Sequence, residues 1–503
     1  MCGIGAIVGE TTGVLELLFP MTNYLYRRGE DGFGIALVNP ATGEIFQKPF
    51  IIKGHDERDI DRDKAHFLKG VEAEAYRIGA TMALVQAKYS TKTTMQKVDE
   101  DSLRRNMQPL LLEYPNLEQR CVGIHNGEVR DYAIKPSITI TAASEADVDS
   151  RFLIEVFHQQ RILLNDDWRA ARWVMEQVKP GENAFTFGYS DGHGLLVMKD
   201  GMGIRPGCIG RKGDIVIITS ESGFFEEAYG GFEREMLNGE VVRFDANLQL
   251  ETRQVVTGEA RPCGFEDFYF KDWLSRDFTG ELSVGNHIRF KMGREMAWFY
   301  VKQHEGIDII MGAPNSGRSY AEGASYELHI PCMDIARKTE NRRYFLRRMG
   351  HKYSIDRVAV QGKNVAVYED SLVRGDTIPQ LYYHLKRNGA KQVKFFIAWP
   401  PILFSCDLGI DTADTERLIA RQLLGKSITL GKEGVQYTVG NVNREMTALL
   451  RERIRQESKY ANINPDDLEI YYAPQVFLKR VLPYRTCTMC FTGVRPGQEA
   501  AAS

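Results

Sequence analysis

One stretch of this chain, residues 365–377, constrains the fold more than any other. Residues 365–368 are apolar and of strand length, and two carboxylates, Glu369 and Asp370, follow them. A short loop with one glycine then leads into an amphipathic helix predicted over 378–386. Such a loop and a helix N-terminus direct backbone N–H groups towards an anion, with the two acids beside it. The stretch therefore predicts a sugar-phosphate site, with the phosphate on the loop and the ribose hydroxyls or a metal on the acids.

The same residues resemble the phosphoribosyl-pyrophosphate (PRPP) motif of type I phosphoribosyltransferases, in the version found in glutamine PRPP amidotransferases. Glu369 stands where that motif usually has an aspartate. The resemblance implies that Glu369 and Asp370 hold the ribose and Mg²⁺, and that the loop binds the 5′-phosphate of PRPP. The loop residues that it assigns to PRPP are Ser371, Val373, Arg374, Gly375, Asp376 and Thr377.

A second strand and loop repeat this arrangement earlier in the chain. Residues 307–313 predict a strand, 314–317 a Pro-Asn-Ser-Gly turn, and 318–328 a helix. In the resembled family the corresponding turn binds pyrophosphate, which assigns Ser316 and Gly317 to PRPP, although Asn315 replaces an acid.

A third strand is predicted over 393–399. Repeated strand–helix units imply a parallel sheet whose ligand site lies at the carboxyl edge of the strands, so both loops are expected at one site. Basic residues at 337–338 and 341–343 resemble the loop that closes over PRPP in the family; an ordinary solvated basic loop is the alternative.

Cys2 follows the initiator methionine and precedes a strand predicted over 3–9. If Met1 is removed, one residue carries a thiol and an α-amine, and the amine, with a pKa near ~8, can act as the general base for the thiol. The segments 25–35, 87–91, 106–109 and 125–127 follow in an order that resembles the class II glutamine amidotransferase domain, an N-terminal-nucleophile hydrolase.

The resemblance assigns roles to individual residues of that domain. It implies that Cys2 attacks the side-chain amide of glutamine, while Asn126 and Gly127 form the oxyanion hole. Asp149 would bind the α-amine of glutamine, with Arg28 and Lys88 as further glutamine contacts. Lys88 replaces an arginine, which keeps the charge but loses the bidentate fork. His125 receives no role and is interpreted as a packing residue.

The chain holds 8 cysteines, of which Cys487 and Cys490 form a C-x-x-C pair. Such a pair on its own is compatible with zinc, redox chemistry or neither. Together with Cys263 and Cys406, the pair resembles the iron-sulfur type of PRPP amidotransferase, in which four thiolates bind one [4Fe-4S] cluster. Zinc on the same four residues remains an alternative, because thiolates suit both.

The net charge of −3 over 503 residues gives no electrostatic reason to expect nucleic acid or an anionic membrane as a partner. No run reaches the roughly 18 apolar residues of a membrane span, and the N-terminus lacks a cationic signal region. The 8 cysteines are too sparse for a disulfide scaffold, so the reducing cytoplasm is the expected location.

These observations predict an α/β and α+β chain of two domains. A glutamine amidotransferase αββα sandwich would occupy 2–255, a parallel-sheet phosphoribosyltransferase domain 256–480, and a cluster-binding tail 481–503. The predicted reaction makes 5-phosphoribosylamine, the first step of purine biosynthesis, with glutamine and PRPP as substrates. The family habit implies a homotetramer and purine nucleotide effectors. The alternatives are an amidotransferase with a different acceptor and a non-catalytic PRPP or nucleotide sensor.

Overall fold

The computed structural model describes residues 2–29, 31–52, 57–88, 100–117, 119–129, 142, 146, 148–338, 353–410, 412, 414–431 and 434–498. The chain divides into two compact units. The first unit consists of Met1–Cys263, Leu274–Glu281 and Cys406–Asp411; the second consists of Gly264–Trp273, Leu282–Ser405 and Thr412–Ser503. Among the described helices, none has the length and apolar character that crossing a membrane requires.

The first unit is built from antiparallel strands and helices. Its strands are β1 (Gly3–Val8), β2 (Gly32–Asn39), β3 (Glu44–Ile51), β4 (Met82–Lys88), β5 (Leu110–Tyr114), β6 (Gln119–Glu128), β7 (Ala184–Ser190), β8 (Leu195–Lys199), β9 (Cys208–Lys212), β10 (Ile215–Thr219), β11 (Gly231–Glu235), β12 (Glu240–Phe244) and β13 (Leu250–Gln254). Its helices are α1 (Thr11–Tyr26), α2 (Glu57–Ile78), α3 (Glu100–Arg105), α4 (Asp149–Leu164), α5 (Asp167–Gln177) and α6 (Gly223–Glu227).

These strands form two sheets that pack face to face. One has the order β11-β9-β10-β1-β4-β2-β3, and the other has the order β13-β12-β8-β7-β6-β5. Apolar side chains of both sheets, among them Ile4 and Ile124, fill a shared inner core. Helices α1 and α2 cover the outer face of the first sheet, and α4 and α5 cover that of the second. The layer order is therefore αββα, as predicted.

Strand β1 shows how the local sequence produces this packing. Ile4, Ala6 and Val8 point into the core between the sheets, because alternate residues of a strand face one side. Gly3 and Gly5 face α1, where an added Cβ at Gly5 would lie 2.8 Å from a sulfur atom of α1. The two glycines thus let the helix approach the strand that follows Cys2.

The second unit contains the remaining elements. Its helices are α7 (Phe290–Phe299), α8 (Arg318–Leu328), α9 (Arg357–Val360), α10 (Thr377–Arg387), α11 (Val439–Gln456), α12 (Val476–Val481) and α13 (Met489–Thr492). Its strands are β14 (Ile309–Gly312), β15 (Ala336–Lys338), β16 (Tyr353–Ile355), β17 (Asn364–Glu369), β18 (Gln392–Ile397), β19 (Ile428–Gly431), β20 (Gly434–Tyr437) and β21 (Leu468–Tyr472).

A four-stranded sheet of order β14-β17-β18-β21 forms the centre of this unit, and all three of its strand pairs are parallel. Helices α10 and α11 contribute to the core on one of its faces. The predicted helix over 318–328 has the observed bounds of α8, and the predicted helix over 378–386 gains one residue at each end as α10. The strand predicted over 307–313 is shorter, because residue 307 forms a turn after Gly306, which has φ +75°.

Candidate functional site

Cys2 lies directly before β1 and is half-buried. Its carbonyl oxygen accepts a hydrogen bond of 3.2 Å from Nε of Arg28. The Nη1 atom of Arg28 lies 2.6 Å from Oε1 of Glu221, and both side chains are almost completely buried. Arg28 therefore fixes the backbone of the candidate nucleophile, and its assignment as a glutamine contact stays a prediction.

Lys88 ends β4 and is half-buried. Its Nζ donates a hydrogen bond to the carbonyl oxygen of Asn106. Burial lowers the pKa of Lys88, whereas the negative charges of Cys2 and Asp149 act to raise it. Cys2 and Asp149, two further residues that the sequence assigns to glutamine chemistry, are thus both within electrostatic reach of Lys88.

Asp149 begins α4 beside the end of β6. Its Oδ2 accepts a hydrogen bond of 3.0 Å from the backbone N–H of Val129. Nδ1 of His125 lies 3.7 Å from the same oxygen and 3.1 Å from Oγ of Ser150. Burial lowers the pKa of His125, with the charge of Asp149 opposing the shift. His125 is therefore buried in a polar network with Ser150 and Asp149.

Two buried glutamines hold the backbone of β6 at this point. Oε1 of Gln108 accepts a hydrogen bond of 2.6 Å from the backbone N–H of His125, and Nε2 of Gln86 donates one of 2.9 Å to its carbonyl oxygen. The strand is consequently fixed immediately before Asn126.

Asn126 is buried, and its side-chain amide has a partner at each end. Nη2 of Arg205 lies 3.2 Å from its Oδ1, and its Nδ2 lies 3.5 Å from Oγ of Ser220. That hydroxyl also accepts a hydrogen bond of 3.1 Å from the backbone N–H of Ile4. The arrangement connects the predicted oxyanion amide to β1, the strand that follows Cys2.

Position 127 leaves no room for a side chain. It has φ +151°, and an added Cβ would lie 2.0 Å from the carbonyl oxygen of Ala184. The segment Cys406–Asp411 belongs to the same unit, and an added Cβ at Gly409 would lie 2.6 Å from Cα of Gly127. Gly409 thus packs directly against the second predicted member of the oxyanion hole.

Sequence reasoning missed the residues that hold the candidate nucleophile and oxyanion groups, among them Arg205, Ser220 and Gly409. Arg205 lies in the turn after β8 and Ser220 directly follows β10, and the sequence analysis assigns a role to neither. Gly409 lies far along the chain from Gly127, so no local pattern could have indicated their contact.

In the second unit the two predicted anion loops lie at the carboxyl ends of β14 and β17, which are neighbouring parallel strands. Asp370 is buried, and its Oδ1 accepts a hydrogen bond of 2.6 Å from Oγ of Ser371. Burial raises the pKa of Asp370, while hydrogen bonds from Ser316 and Ser371 act to lower it. The structure thus brings Ser316 of one loop to Asp370 of the other. Glu369 is half-buried beside them.

Tight backbone contacts define the first loop. An added Cβ at Gly317 would lie 2.1 Å from the carbonyl oxygen of Tyr368, the residue before Glu369. The backbone N–H of Ala313 donates a hydrogen bond of 2.8 Å to that same oxygen. Gly317 is therefore required for the two loops to approach each other.

The second loop is held by Arg453 of α11. Its Nη1 donates a hydrogen bond of 2.8 Å to the carbonyl oxygen of Arg374, and its Nη2 lies 2.5 Å from Oδ1 of Asp376. Gly375, between these residues, has φ +78°, and an added Cβ would meet both Arg453 and Ile419. The loop leads directly into α10, whose N-terminus presents backbone N–H groups suited to a phosphate.

A cavity of about 710 Å³ opens beside the first loop. Its lining includes Ser316, Lys338, Lys271 and Arg289. Arg289 is buried, donates hydrogen bonds to the carbonyl oxygens of Asp267 and Lys271, and lies within electrostatic reach of Asp370. The cavity lining therefore includes several cationic side chains, although Nζ of Lys271 lies 3.0 Å from Oδ1 of the buried Asp267. The predicted basic residues 341–343 lie outside the described residues.

The neighbours of the four predicted cluster cysteines meet within the second unit. An added Cβ at Gly264, which follows Cys263, would lie 3.0 Å from the side chain of Thr486, which precedes Cys487. The carbonyl oxygen of Cys490 accepts hydrogen bonds from the backbone of residues 403 and 404, just before Cys406. In the part of the chain that the structure describes, no group of three or more His, Cys, Asp or Glu side chains is arranged to hold a metal ion. The assignment of the four cysteines to a cluster therefore stays a prediction.

Comparison with known proteins gives a consistent result. Amidophosphoribosyltransferase 1, chloroplastic, of Arabidopsis thaliana is 25% identical over 451 residues, which cover 87% of this chain and 74% of that protein. The amidophosphoribosyltransferase of Rhizobium etli is 26% identical over 84% of this chain and 81% of its own length. No family model matches the chain.

Two solved structures share the fold over almost the entire chain. The allosteric regulatory enzyme of purine biosynthesis has a TM-score of 0.73 at 22% identity and covers 98% of this chain and 96% of its own. Glutamine PRPP amidotransferase from B. subtilis, complexed with ADP and GMP, has a TM-score of 0.69 at 22% identity, with 98% and 97% covered. The predicted fold class is confirmed.

An αββα sandwich whose first strand follows Cys2, in one chain with a parallel sheet that carries two anion loops, is the fold of a class II glutamine amidotransferase domain and a type I phosphoribosyltransferase domain. Within that class, the chain is similar to amidophosphoribosyltransferases, at 25% and 26% identity to the two curated relatives above.

Proposed function

We propose that this protein is an amidophosphoribosyltransferase, which converts PRPP, glutamine and water into 5-phosphoribosylamine, pyrophosphate and glutamate. One observation carries the proposal: the chain combines Cys2, directly before β1, with two facing anion loops on a parallel sheet, and it aligns with a protein of this name over 87% of its length. This reaction is the first step of purine biosynthesis.

In the first unit, the thiol of Cys2 attacks the side-chain amide carbon of glutamine, and the free α-amine of Cys2 accepts the thiol proton. The oxyanion that forms is stabilised by the side-chain N–H of Asn126 and the backbone N–H of Gly127. Collapse of this intermediate expels ammonia, which leaves with the proton, and gives a thioester. Water then hydrolyses the thioester to glutamate. Asp149 and Lys88 bind the α-amine and α-carboxylate of glutamine.

In the second unit, ammonia forms a C–N bond to C1 of PRPP while the bond from C1 to the pyrophosphate oxygen breaks. Glu369 and Asp370 hold the ribose hydroxyls, and residues 373–377 together with Ser371 hold the 5′-phosphate. Ser316 and Gly317 bind the departing pyrophosphate. Enclosing the reacting groups away from water favours ammonia over hydrolysis of PRPP.

Two metal groups belong to this proposal. Mg²⁺ would be held by Glu369 and Asp370 with the substrate, where it screens the charge of the leaving group. A [4Fe-4S] cluster would be held by Cys263, Cys406, Cys487 and Cys490, with a structural role. Iron and sulfide counts on anaerobically purified protein test the cluster: about four of each per chain are expected for the cluster. One zinc ion with no iron would instead establish the zinc alternative.

We further propose regulation by purine nucleotides, because relatives of the same fold include an allosteric enzyme and a complex with ADP and GMP. A homotetramer is proposed from the family resemblance alone. A cytoplasmic location is proposed, because a thiol nucleophile and a thiolate-bound cluster suit a reducing compartment.

The decisive experiment measures glutamate and pyrophosphate from PRPP with either glutamine or ammonia, in wild-type protein and in Cys2→Ala. We expect equal amounts of both products from glutamine in the wild type. Cys2→Ala should lose the glutamine-dependent reaction and keep the ammonia-dependent one. Cys332→Ala is the matched control, since Cys332 is an exposed cysteine of the second unit and should leave both reactions intact.

The outcomes separate the alternatives. Glutamate release that PRPP stimulates, without pyrophosphate, would indicate a different acceptor. A protein that binds PRPP but forms neither glutamate nor pyrophosphate would support the alternative of a non-catalytic sensor. Equal loss of glutamate release in Cys2→Ala and Cys332→Ala would contradict the role of Cys2.

A further inference from the structure

Arg205 is a completely buried cation whose guanidinium contacts a predicted oxyanion residue. Its Nη2 donates a hydrogen bond of 3.2 Å to Oδ1 of Asn126. The side chains of Arg205 and Asn126 are both buried, so water does not compete for this hydrogen bond. The mechanism proposed above uses Asn126 and leaves Arg205 without a function.

The contact fixes which way the Asn126 amide points. A guanidinium has donors and no acceptor, so the oxygen of the amide must face Arg205 and its NH₂ group must face away. The NH₂ group lies 3.5 Å from Oγ of Ser220, which also accepts the backbone N–H of Ile4, two residues beyond Cys2. The donor end of the amide is thereby turned towards the strand that carries the nucleophile.

The backbone around Arg205 is itself held in place. Oδ2 of Asp200 accepts hydrogen bonds from the backbone N–H groups of Ile204, at 3.0 Å, and Arg205, at 3.3 Å. Oγ1 of Thr186 donates a hydrogen bond of 3.0 Å to the carbonyl oxygen of Pro206. Arg205 therefore projects from a fixed turn, and Thr186 also pairs with Asn126 across strands β7 and β6.

We propose that Arg205 is a positioning residue for glutamine hydrolysis, which orients and polarises the side-chain amide of Asn126. A charged donor on the amide oxygen makes the amide N–H a stronger donor, because linked hydrogen bonds polarise one another in a buried site. The gain is largest when negative charge develops on the oxygen of the tetrahedral intermediate, so Arg205 affects the rate of attack more than glutamine binding. This inference rests on the proposed glutaminase activity.

The test is a double-mutant cycle of Arg205→Met and Asn126→Ala, with glutamate release as the readout. Loss of one oxyanion donor typically lowers kcat about 100- to 1000-fold, which is the expectation for Asn126→Ala. We expect Arg205→Met to lower kcat by about 10- to 100-fold, with KM for glutamine changed less than about threefold. The double variant should be no slower than Asn126→Ala alone, because Arg205 acts through that amide.

Two further measurements separate positioning from a general structural role. Alkylation of Cys2 by iodoacetamide, followed by mass spectrometry of the N-terminal peptide, does not use the oxyanion hole and should keep its wild-type rate in Arg205→Met. Binding of glutamate γ-semialdehyde, whose thiohemiacetal with Cys2 places an oxygen in the hole, should weaken by the same factor as kcat. If Arg205→Met does not fold, Arg205→Lys, which keeps the buried charge, replaces it in the double-mutant cycle with Asn126→Ala.

If the double variant loses kcat by the product of the two single losses, the role of Arg205 is overturned. It is also overturned if the alkylation rate in Arg205→Met falls by the same factor as kcat. A wild-type protein that neither releases glutamate nor binds the semialdehyde would overturn the proposed glutaminase and this role with it. Active wild-type protein with multiplicative losses would overturn the role of Arg205 alone.

Discussion

Gly409 supports the most direct prediction about the geometry of the first unit. It has φ +91°, and a Cβ added to it would lie 2.6 Å from Cα and 2.8 Å from the carbonyl carbon of Gly127. Both neighbouring atoms are backbone, so no side chain can rotate away. In Gly409→Ala, one of the two segments must move before the methyl group fits.

The size of this movement follows from the contacts. An ordinary Cβ contact begins near 3.4 Å, so the 2.6 Å separation requires a displacement of most of an ångström at Gly127. A misplacement of about 1 Å in a catalytic group can cost about 100-fold in rate, or about 2.7 kcal/mol of transition-state stabilisation. We therefore expect Gly409→Ala to lower the kcat of glutamate release by about 100-fold. The overpacked contact should also destabilise the folded state by about 1–3 kcal/mol.

Gly213→Ala is the matched control, since Gly213 lies in the same unit, has φ +59° and has nothing within 4 Å of its added Cβ. Both variants carry the cost of a left-handed residue, about 1–2 kcal/mol, and only Gly409→Ala displaces the oxyanion hole. Steady-state glutaminase assays compare the kcat of the two variants, and chemical denaturation compares their free energies of unfolding. Equal kcat values for the two variants would refute the reasoning that Gly409 sets the position of Gly127.

Two further predictions concern substrate affinity in each unit. Burial lowers the pKa of Lys88, so this residue loses its proton at a lower pH than an ordinary lysine. The neutral amine cannot attract a carboxylate, and KM for glutamine should therefore rise as the pH increases through that pKa. Lys88→Arg, which stays charged, should abolish the rise; pH profiles that remain parallel in the two proteins would contradict the assignment. In the second unit, Arg453→Met releases both the carbonyl of Arg374 and the carboxylate of Asp376. It should raise KM for PRPP about tenfold, equivalent to about 1.4 kcal/mol, and leave KM for glutamine unchanged. Arg455→Met, on the same helix but in more exposed ion pairs, is the control, and an equal rise in both variants would argue against a specific clamp.

The local elements around the PRPP motif could be predicted well from the sequence. Strand β17 and helix α10 have the predicted positions to within one residue at each end, because a short apolar run and an amphipathic period are local signals. The approach of Ser316 to Asp370 was also expected, since the carboxyl ends of neighbouring parallel strands share one edge of the sheet.

The residues that hold these loops could not be predicted in the same way. Arg453 reaches the loop from α11, and Arg289 approaches Asp370 from before the first strand of the sheet. An arginine on a helix has the same local sequence whether it faces solvent or a loop far away along the chain. Its partner is set by the packing of the elements, so no nearby pattern records it.

The sequence by itself determined the cysteine before β1 and the two anion loops, because each depends on residues close together in the chain. The αββα layers were implied by the family resemblance, since their strands pair across long stretches of sequence. Only the tertiary structure decided what surrounds the cysteine and the loops. Arg28 pairs with Glu221 and donates to the backbone of Cys2. Arg205 donates to the side chain of Asn126, and Gly409 packs against the backbone of Gly127. These contacts join segments far apart in sequence, and their geometry exists only once buried polar groups have found partners in the packed interior.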